Sequence, residues 1–340
     1  MSAEEEMDRI AVTQIDAGRD DYGDIAFEFN GKRIAVSVLP GPSSQDIEGH
    51  LIRLLTKATT ADGDEYEDLL DEILDIILDA GKAVFRRVAP PSTAPSPCGQ
   101  DLHSLLYPET FHFRLKSVDN KPTIVPIPEK DAYAAEFPFD QKVESDFQID
   151  NELPQYSSRE IQVLETFVGS GVVSRVLVKD QEMLCKARNS GLLDGSLERE
   201  LSSLQTIKAL SKGSTSIRIP RLIAYIKHAE NGHIIGLLRE WIPSGIRGGR
   251  LKEVCTFTTD KKRREKWATQ IRETVDHLHG IGLVWGDGNP SNVIIDSNDD
   301  AWLIDLAGGW TGGWVDEEIA GTREGDEQAV GNIFKYLGVE

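Results

Sequence analysis

Apolar and polar residues change rhythm several times along the chain, and each rhythm implies an element. Phe27, Phe29, Ile34, Ala35, Val36 and Val38 lie in segments where apolar and polar side chains alternate, as in a strand with one buried face. Between the two segments stands Asn30-Gly31, the pair best suited to the positive φ angles of a type I′ turn, so 27–38 predicts a β-hairpin. Over 65–88 the spacing lengthens. Leu69, Leu70, Ile73, Leu74, Ile77 and Leu78 fall on one side of a helix and acids on the other. The breaker-rich run Pro90-Pro91-Ser92-Thr93-Ala94-Pro95-Ser96-Pro97 reads as a linker within 89–99, and 110–115 reads as a further strand.

From about residue 160 the order of elements changes. Strands are expected at 161–168, 175–178 and 182–187, around a pair of glycines. A helix follows at 196–210, with Leu197, Leu201, Leu204, Ile207 and Leu210 on its buried face. Then come a strand at 234–241 and a helix at 263–279 with Trp267, Ile271, Val275 and Leu278 inward. Two short strands at 293–295 and 301–304 enclose a polar turn. No internal repeat interrupts this order. The reading divides the chain into a region 1–155 and a domain 156–340.

Composition narrows the function classes. Apolar residues make up 39% and charged residues 28%, an ordinary globular mix. No run approaches the roughly 18 apolar residues of a membrane-spanning helix, and the acidic N-terminus lacks the apolar segment of a secretory signal. Cys98, Cys185 and Cys255 form no metal-ligand spacing and no disulfide framework, which fits a reducing cytoplasm, or a nucleus. The net charge of −20 argues against nucleic-acid and anionic-membrane partners. Residues 1–155 carry 14 Lys and Arg against 31 Asp and Glu, while the remainder carries 23 against 26. The acidity therefore belongs to the N-terminal region, where no residue suggests chemistry.

The chemistry concentrates in Val284-Trp285-Gly286-Asp287-Gly288-Asn289-Pro290-Ser291-Asn292-Val293, followed by Trp302-Leu303-Ile304-Asp305-Leu306-Ala307-Gly308. An Asp, an Asn five residues later and a second Asp beyond a hairpin suit phosphoryl transfer. One carboxylate can orient an acceptor hydroxyl and take its proton. The amide oxygen and the second carboxylate are hard donors for Mg²⁺. The plain alternative is a hairpin carrying turn-forming Asp and Asn.

These segments resemble the catalytic loop and metal motif of protein kinases and of their aminoglycoside- and choline-phosphorylating relatives. With Gly308-Gly309-Trp310-Thr311-Gly312-Gly313-Trp314-Val315-Asp316, they resemble fungal protein-kinase-like proteins in particular. The resemblance implies an α+β, bilobal protein-kinase-like fold. It would have a small N-terminal sheet and an abbreviated helical second lobe, and the acidic α+β region would precede it. It implies ATP and Mg²⁺ as cofactors, with Asp287 as catalytic base and Asn292 and Asp305 as metal ligands. Gly169-Ser170-Gly171-Val172-Val173-Ser174-Arg175-Val176 resembles the glycine-rich phosphate loop, so Gly169, Gly171 and Val176 would meet the nucleotide. Lys186 would pair the phosphates and Glu200 would hold Lys186, with Glu198 as the alternative partner. Glu240 and Ile242 would meet the base through their backbone. Arg239 would guard the back of that pocket, which requires either an acidic partner or a shifted register. His279 is expected as a structural contact and Asp326 as an anchor for the catalytic loop, or as an ordinary helix cap.

Several positions depart from the protein-kinase pattern. Trp285-Gly286 replaces His-Arg, Asn289 replaces the lysine that steadies the γ-phosphate, Ser174 replaces the third glycine, and Leu306-Ala307 replaces Phe-Gly. Ala-Pro-Glu and the later peptide-docking helices are not found before Glu340. The expectation is an ATP- and Mg²⁺-dependent phosphotransferase acting on a hydroxyl of a protein Ser/Thr or of a small metabolite. The alternative is a pseudokinase that binds nucleotide without turnover.

Overall fold

The computed structural model describes residues 8–18, 21–41, 46–61, 63–91, 100–119, 121–131, 147–169, 171–188, 191–210, 217–245, 249–254, 256 and 258–339. Among them it shows an α+β fold of three sheets and six α-helices. They divide into two compact units, one within Met1–Ser96 and Pro108–Gln141, the other within Pro97–Tyr107 and Lys142–Glu340. The linker at 92–99 lies outside the described residues.

The first unit is a five-stranded sheet, β1 (Ile10–Gly18), β2 (Tyr22–Phe29), β3 (Lys32–Val38), β4 (Thr110–Val118) and β5 (Lys121–Pro126), in that order. The Asn30-Gly31 turn closes the β2–β3 hairpin with Phe29 opposite Lys32, and both turn residues have positive φ, 51° and 82°. β3 and β4 run parallel, so the chain must cross between them. It does so through α1 (Ile47–Ala58) and α2 (Gly63–Val88). Asp46 starts α1 by accepting a hydrogen bond from the Gly49 N–H at 2.9 Å. Leu69, Ile73, Ile77 and Phe85 of α2 are buried against Phe27, Phe29 and Phe113 of the sheet. The Phe85 ring meets those three edge-on at 5.6, 5.8 and 5.3 Å, each pair contributing about 0.5–1.5 kcal/mol beyond area burial.

The second unit contains α3 (Leu102–Leu106) and a six-stranded sheet. Its strands are β6 (Gln155–Ser157), β7 (Gln162–Val168), β8 (Val173–Val178), β9 (Gln181–Ala187), β10 (Leu222–Lys227) and β11 (Ile234–Glu240), in the order β6-β10-β11-β9-β8-β7. α4 (Gly195–Leu210) lies in the chain between β9 and β10. After β11 come α5 (Lys261–Gly280), the ribbon β12 (Val293–Ile295) and β13 (Ala301–Leu303), and α6 (Arg323–Leu337).

Strand alternation gives this sheet two different faces. Val163, Val176, Met183, Cys185, Ala187 and Leu238 form one core cluster with Leu102, Leu105 and Leu106 of α3. Leu184 and Lys186 alternate with Met183, Cys185 and Ala187 and so take the other face. There Leu237 packs with Leu197 and Leu201 of α4 and with the helices and ribbon that follow. Trp267 is fully buried in that second core, and its indole N–H donates to the Asp299 carbonyl at 3.1 Å.

The predicted elements of the second unit are present with ends moved by a residue or two. β1, β5, β6, β10, α1 and α3 were not legible from periodicity. α3 is a single turn of five residues, too short to show a 3.6-residue rhythm. β6 is three residues long and pairs with β10 across more than sixty positions of chain, a contact no local pattern announces.

Candidate functional site

β9 and β11 pair antiparallel with Lys186 opposite Leu237 and Leu184 opposite Arg239. That register fixes the two cations on one sheet face. Lys186 is nearly buried, and its Nζ lies 2.5 Å from Glu200 Oε2 and 3.0 Å from Asp305 Oδ1. Glu200 is 2% exposed, carried inward by α4 beside Leu197 and Leu201. Of the two candidates on that helix, Lys186 takes Glu200. Burial alone would lower the Lys186 pKa, but the Glu200 and Asp305 carboxylates outweigh it and the net shift is upward. The ammonium therefore stays charged across any physiological pH.

Asp305 follows β13 with φ +63°, a left-handed conformation unusual for a residue other than glycine. Such backbone costs of the order of 1–2 kcal/mol and persists only where the surroundings impose it. Here the flanking residues are held: Ile304 N–H donates to the Asn292 carbonyl at 3.0 Å, and Arg199 of α4 donates to the Ala307 carbonyl at 2.7 Å. The first of these bonds sets the segment bearing Asp305 beside Asn292.

The Asn292 amide donates to the Asp287 carbonyl at 2.9 Å and to its carboxylate Oδ2 at 3.0 Å. Thr311 donates to the other carboxylate oxygen at 2.8 Å. Asn289, which stands where a phosphate-steadying lysine was expected, is 3% exposed and donates to the Asp287 carbonyl and to Thr311 Oγ1, each at 3.2 Å. Its side chain therefore shapes the loop. Thr311 was not singled out from sequence; a threonine in a glycine-rich stretch carries no signal of its own.

Asp326, at the start of α6, is 2% exposed and accepts the backbone N–H groups of Trp285 and Gly286, both at 2.8 Å. His279 adds a contact of 2.8 Å to the same carboxylate. Asp326 is thus an anchor for the loop, and His279 supports that anchor. Gly286 has φ +89°, and a Cβ there would stand 3.0 Å from the Gly308 Cα. The loop and the segment after Asp305 approach too closely for the arginine of the usual pattern.

Not every expected residue joins this group. Val176 is fully buried on the opposite sheet face, in the cluster under α3. The residues of β8 opposite Lys186 and Leu184 are Val173 and Arg175. Gly169 and Gly171 have positive φ, 51° and 89°, as the loop reading requires. A Cβ on Gly171, however, would meet Leu102 at 3.1 Å and Leu105 at 3.2 Å, so this glycine packs against α3. Ser174 is buried, and its hydroxyl lies 3.4 Å from Thr166 Oγ1. Glu240 pairs with Arg221 at 3.1 Å, and Ile242 beyond it makes no backbone hydrogen bond to a described residue.

Arg239 stands opposite Leu184 in the sheet and is 6% exposed. Burial lowers its pKa, opposed by the Glu200 and Asp305 charges and reinforced by Arg250. Arg250 is itself held, donating to the Ser291 carbonyl at 2.9 Å.

Two groups could hold a cation. Asp305 leaves Oδ2 without a hydrogen-bond partner among the described residues, and its side chain is 41% exposed. Asn292 uses its amide N–H groups toward Asp287, which leaves its carbonyl oxygen as an acceptor. Two hard oxygen donors on adjacent segments fit Mg²⁺. The other group is His103, His228 and Glu230. There Arg159 already pairs Glu230 at 3.1 Å, and His228 Nδ1 accepts the Glu230 and Asn231 N–H groups, so this cluster is a polar knot beside α3.

Comparison with protein-family models gives no match. Over 100 residues the chain is 29% identical to Serine/threonine-protein kinase PKH1 of Saccharomyces cerevisiae. That stretch is 29% of this chain but only 11% of the yeast kinase. The similarity is partial and agrees with a kinase-like character. Among the described residues no helix is long and apolar enough to cross a membrane.

Proposed function

We propose that the second unit is a protein-kinase-like phosphotransferase domain that uses a nucleoside triphosphate, ATP by the resemblance, with Mg²⁺. The observation that carries this reading is the contact of Lys186 with both Glu200 and Asp305, on segments 14 and 119 residues away, next to the Asp287–Asn292 pair. Three charges from a strand, a helix and a loop meet at one point, and a structural ion pair needs only two of them.

Each residue has a role its chemistry can fill. Lys186, kept cationic by two carboxylates, would receive phosphate oxygens. Glu200 would hold the lysine in place, so Asp305 could release it to a ligand without leaving it unpaired. Asn292 and Asp305 would supply oxygen donors to Mg²⁺, which when bound neutralises charge on the phosphates. Asp287 would orient the acceptor hydroxyl and take its proton. Its carboxylate accepts from Thr311 and Asn292, but a carboxylate has about four lone-pair sites, and two remain. Ile242 offers free backbone groups where a base edge would dock. The acceptor would be a protein Ser/Thr or a small-molecule hydroxyl, and the bilobal arrangement of this fold class is part of the same proposal.

The second reading, nucleotide binding without turnover, is favoured by Asn289. Its amide is tied to Asp287 and Thr311 and brings no charge to a γ-phosphate. Release or transfer of γ-phosphate from labelled nucleotide with Mg²⁺ separates the two. Turnover by the full chain that vanishes in Asp287→Asn supports the enzyme. Nucleotide binding with turnover no faster than in Asp287→Asn selects the pseudokinase.

A further inference from the structure

Arg239 is a buried cation, 6% exposed, that makes no side-chain hydrogen bond or ion pair among the described residues. Its Nε is buried and has no hydrogen-bond partner, and no hydrogen bond or ion pair joins its guanidinium to any described residue. The other cations around this face are committed. Lys186 has Glu200 and Asp305, Arg175 has Glu182 at 3.0 Å, and Arg250 has the Ser291 carbonyl. Arginine stays protonated in proteins, so Arg239 cannot escape the cost by losing its charge. A buried guanidinium with no partner is costly unless something else supplies acceptors.

Its position says what that something is. Arg239 lies on the Lys186 face of the sheet, one pleat repeat along β11 from Leu237, the residue opposite Lys186. It immediately precedes Glu240 and Ile242, where the base edge would dock. A ligand whose phosphates reach Lys186 and whose base reaches Ile242 therefore presents the base's inner edge to Arg239. The planar fork of donors matches two acceptors side by side. Guanine and hypoxanthine offer that pair as O6 and N7. Adenine replaces O6 with an amino group, which sets donor against donor.

We propose that Arg239 makes this site selective for 6-oxopurine nucleotides, guanine above adenine, by a bidentate contact to O6 and N7. The inference rests on the nucleotide-binding reading above. A good bidentate contact of this kind discriminates about ten- to a hundredfold against the wrong base.

The test is calorimetric titration of the full chain with GTP, ITP, 7-deaza-GTP and ATP, each with Mg²⁺, on wild type and on Arg239→Met. The expected result is GTP and ITP bound at least tenfold more tightly than ATP, with 7-deaza-GTP weakened relative to GTP. Arg239→Met should abolish the preference and still bind ATP. Because methionine fills the site without an unpaired charge, this variant should also melt no lower than wild type without ligand. ATP bound as tightly as GTP, or a preference that survives Arg239→Met, overturns the selectivity and leaves the phosphotransferase reading standing. Failure of every nucleotide to bind overturns both. A large loss of stability in Arg239→Met assigns the arginine a structural role and overturns the inference.

Discussion

Removing the Asp326 carboxylate should cost the second unit several kilocalories per mole. Asp326 accepts two backbone N–H groups from the loop before Asp287 and contacts His279, all at 2.8 Å, while 2% exposed. In Asp326→Ala the Trp285 and Gly286 N–H groups lose their acceptor in a place water does not reach. Each buried donor left unsatisfied costs about 1–3 kcal/mol, so the two together cost about 2–6 kcal/mol. For a domain of this size, roughly 2–4 °C accompanies each kilocalorie, which predicts a melting point lower by about 4–24 °C. Asp326→Asn should lose about half as much, since one acceptor oxygen survives while the amide faces a donor. Glu318→Ala, at an exposed position, should stay within about 0.5 kcal/mol. Differential scanning calorimetry of the three variants measures all of this. A shift below about 2 °C for Asp326→Ala would refute the claim that this carboxylate anchors the loop.

Two further predictions concern other parts of the chain. Burial pushes the Asp24 carboxyl up from 3.8 to about 6, offset in part by Ser37 and Arg114 and helped by Asp16. Its folded pKa exceeds its unfolded value, so its contribution is full below about pH 4 and is lost as pH rises through about 6. Asp24→Asn should remove that loss and make the first unit more stable at neutral pH by about 1–3 kcal/mol, read as a urea midpoint difference between pH 4 and pH 7. A midpoint difference that does not depend on pH would refute it. Gly171→Val should destabilise the second unit by about 1–3 kcal/mol. It puts a β-branched residue at φ +89° and a Cβ 3.1 Å from Leu102. A variant as stable as wild type would mean that the loop does not pack on α3.

Much of the second unit was legible because its helices and strands carry long, strict periodicities. The Leu197–Leu201–Leu204 stripe and the Trp267–Ile271–Val275–Leu278 stripe are such cases. Asp287, Asn292 and Asp305 stood out for another reason, since their types and spacing suit phosphoryl transfer, and the fold sets the segments that bear them side by side. What failed was side-chain direction within a strand. Val176 was read as cleft-facing, but the side-chain period of a strand is two, so a one-residue error moves a residue through the sheet. Val173 and Arg175 hold the face that Val176 was expected to hold. The packing of Gly171 on α3 was missed because α3 lies about 65 positions upstream in the chain. The register of β11 was readable only as a choice between an acidic partner for Arg239 and a slip. The fold buries Arg239 with the acidic charges of Glu200 and Asp305 nearby, without a hydrogen bond to either.

The central claim is that Asp305, Asn292 and Lys186 form one site for a Mg²⁺-bound triphosphate. Thermal unfolding of wild type and Asp305→Ala with ATP or GTP, each with and without Mg²⁺, tests it most directly. The account predicts a nucleotide-dependent rise in melting temperature that requires Mg²⁺ and disappears in Asp305→Ala. No rise with either nucleotide, or the same rise in Asp305→Ala, would contradict it.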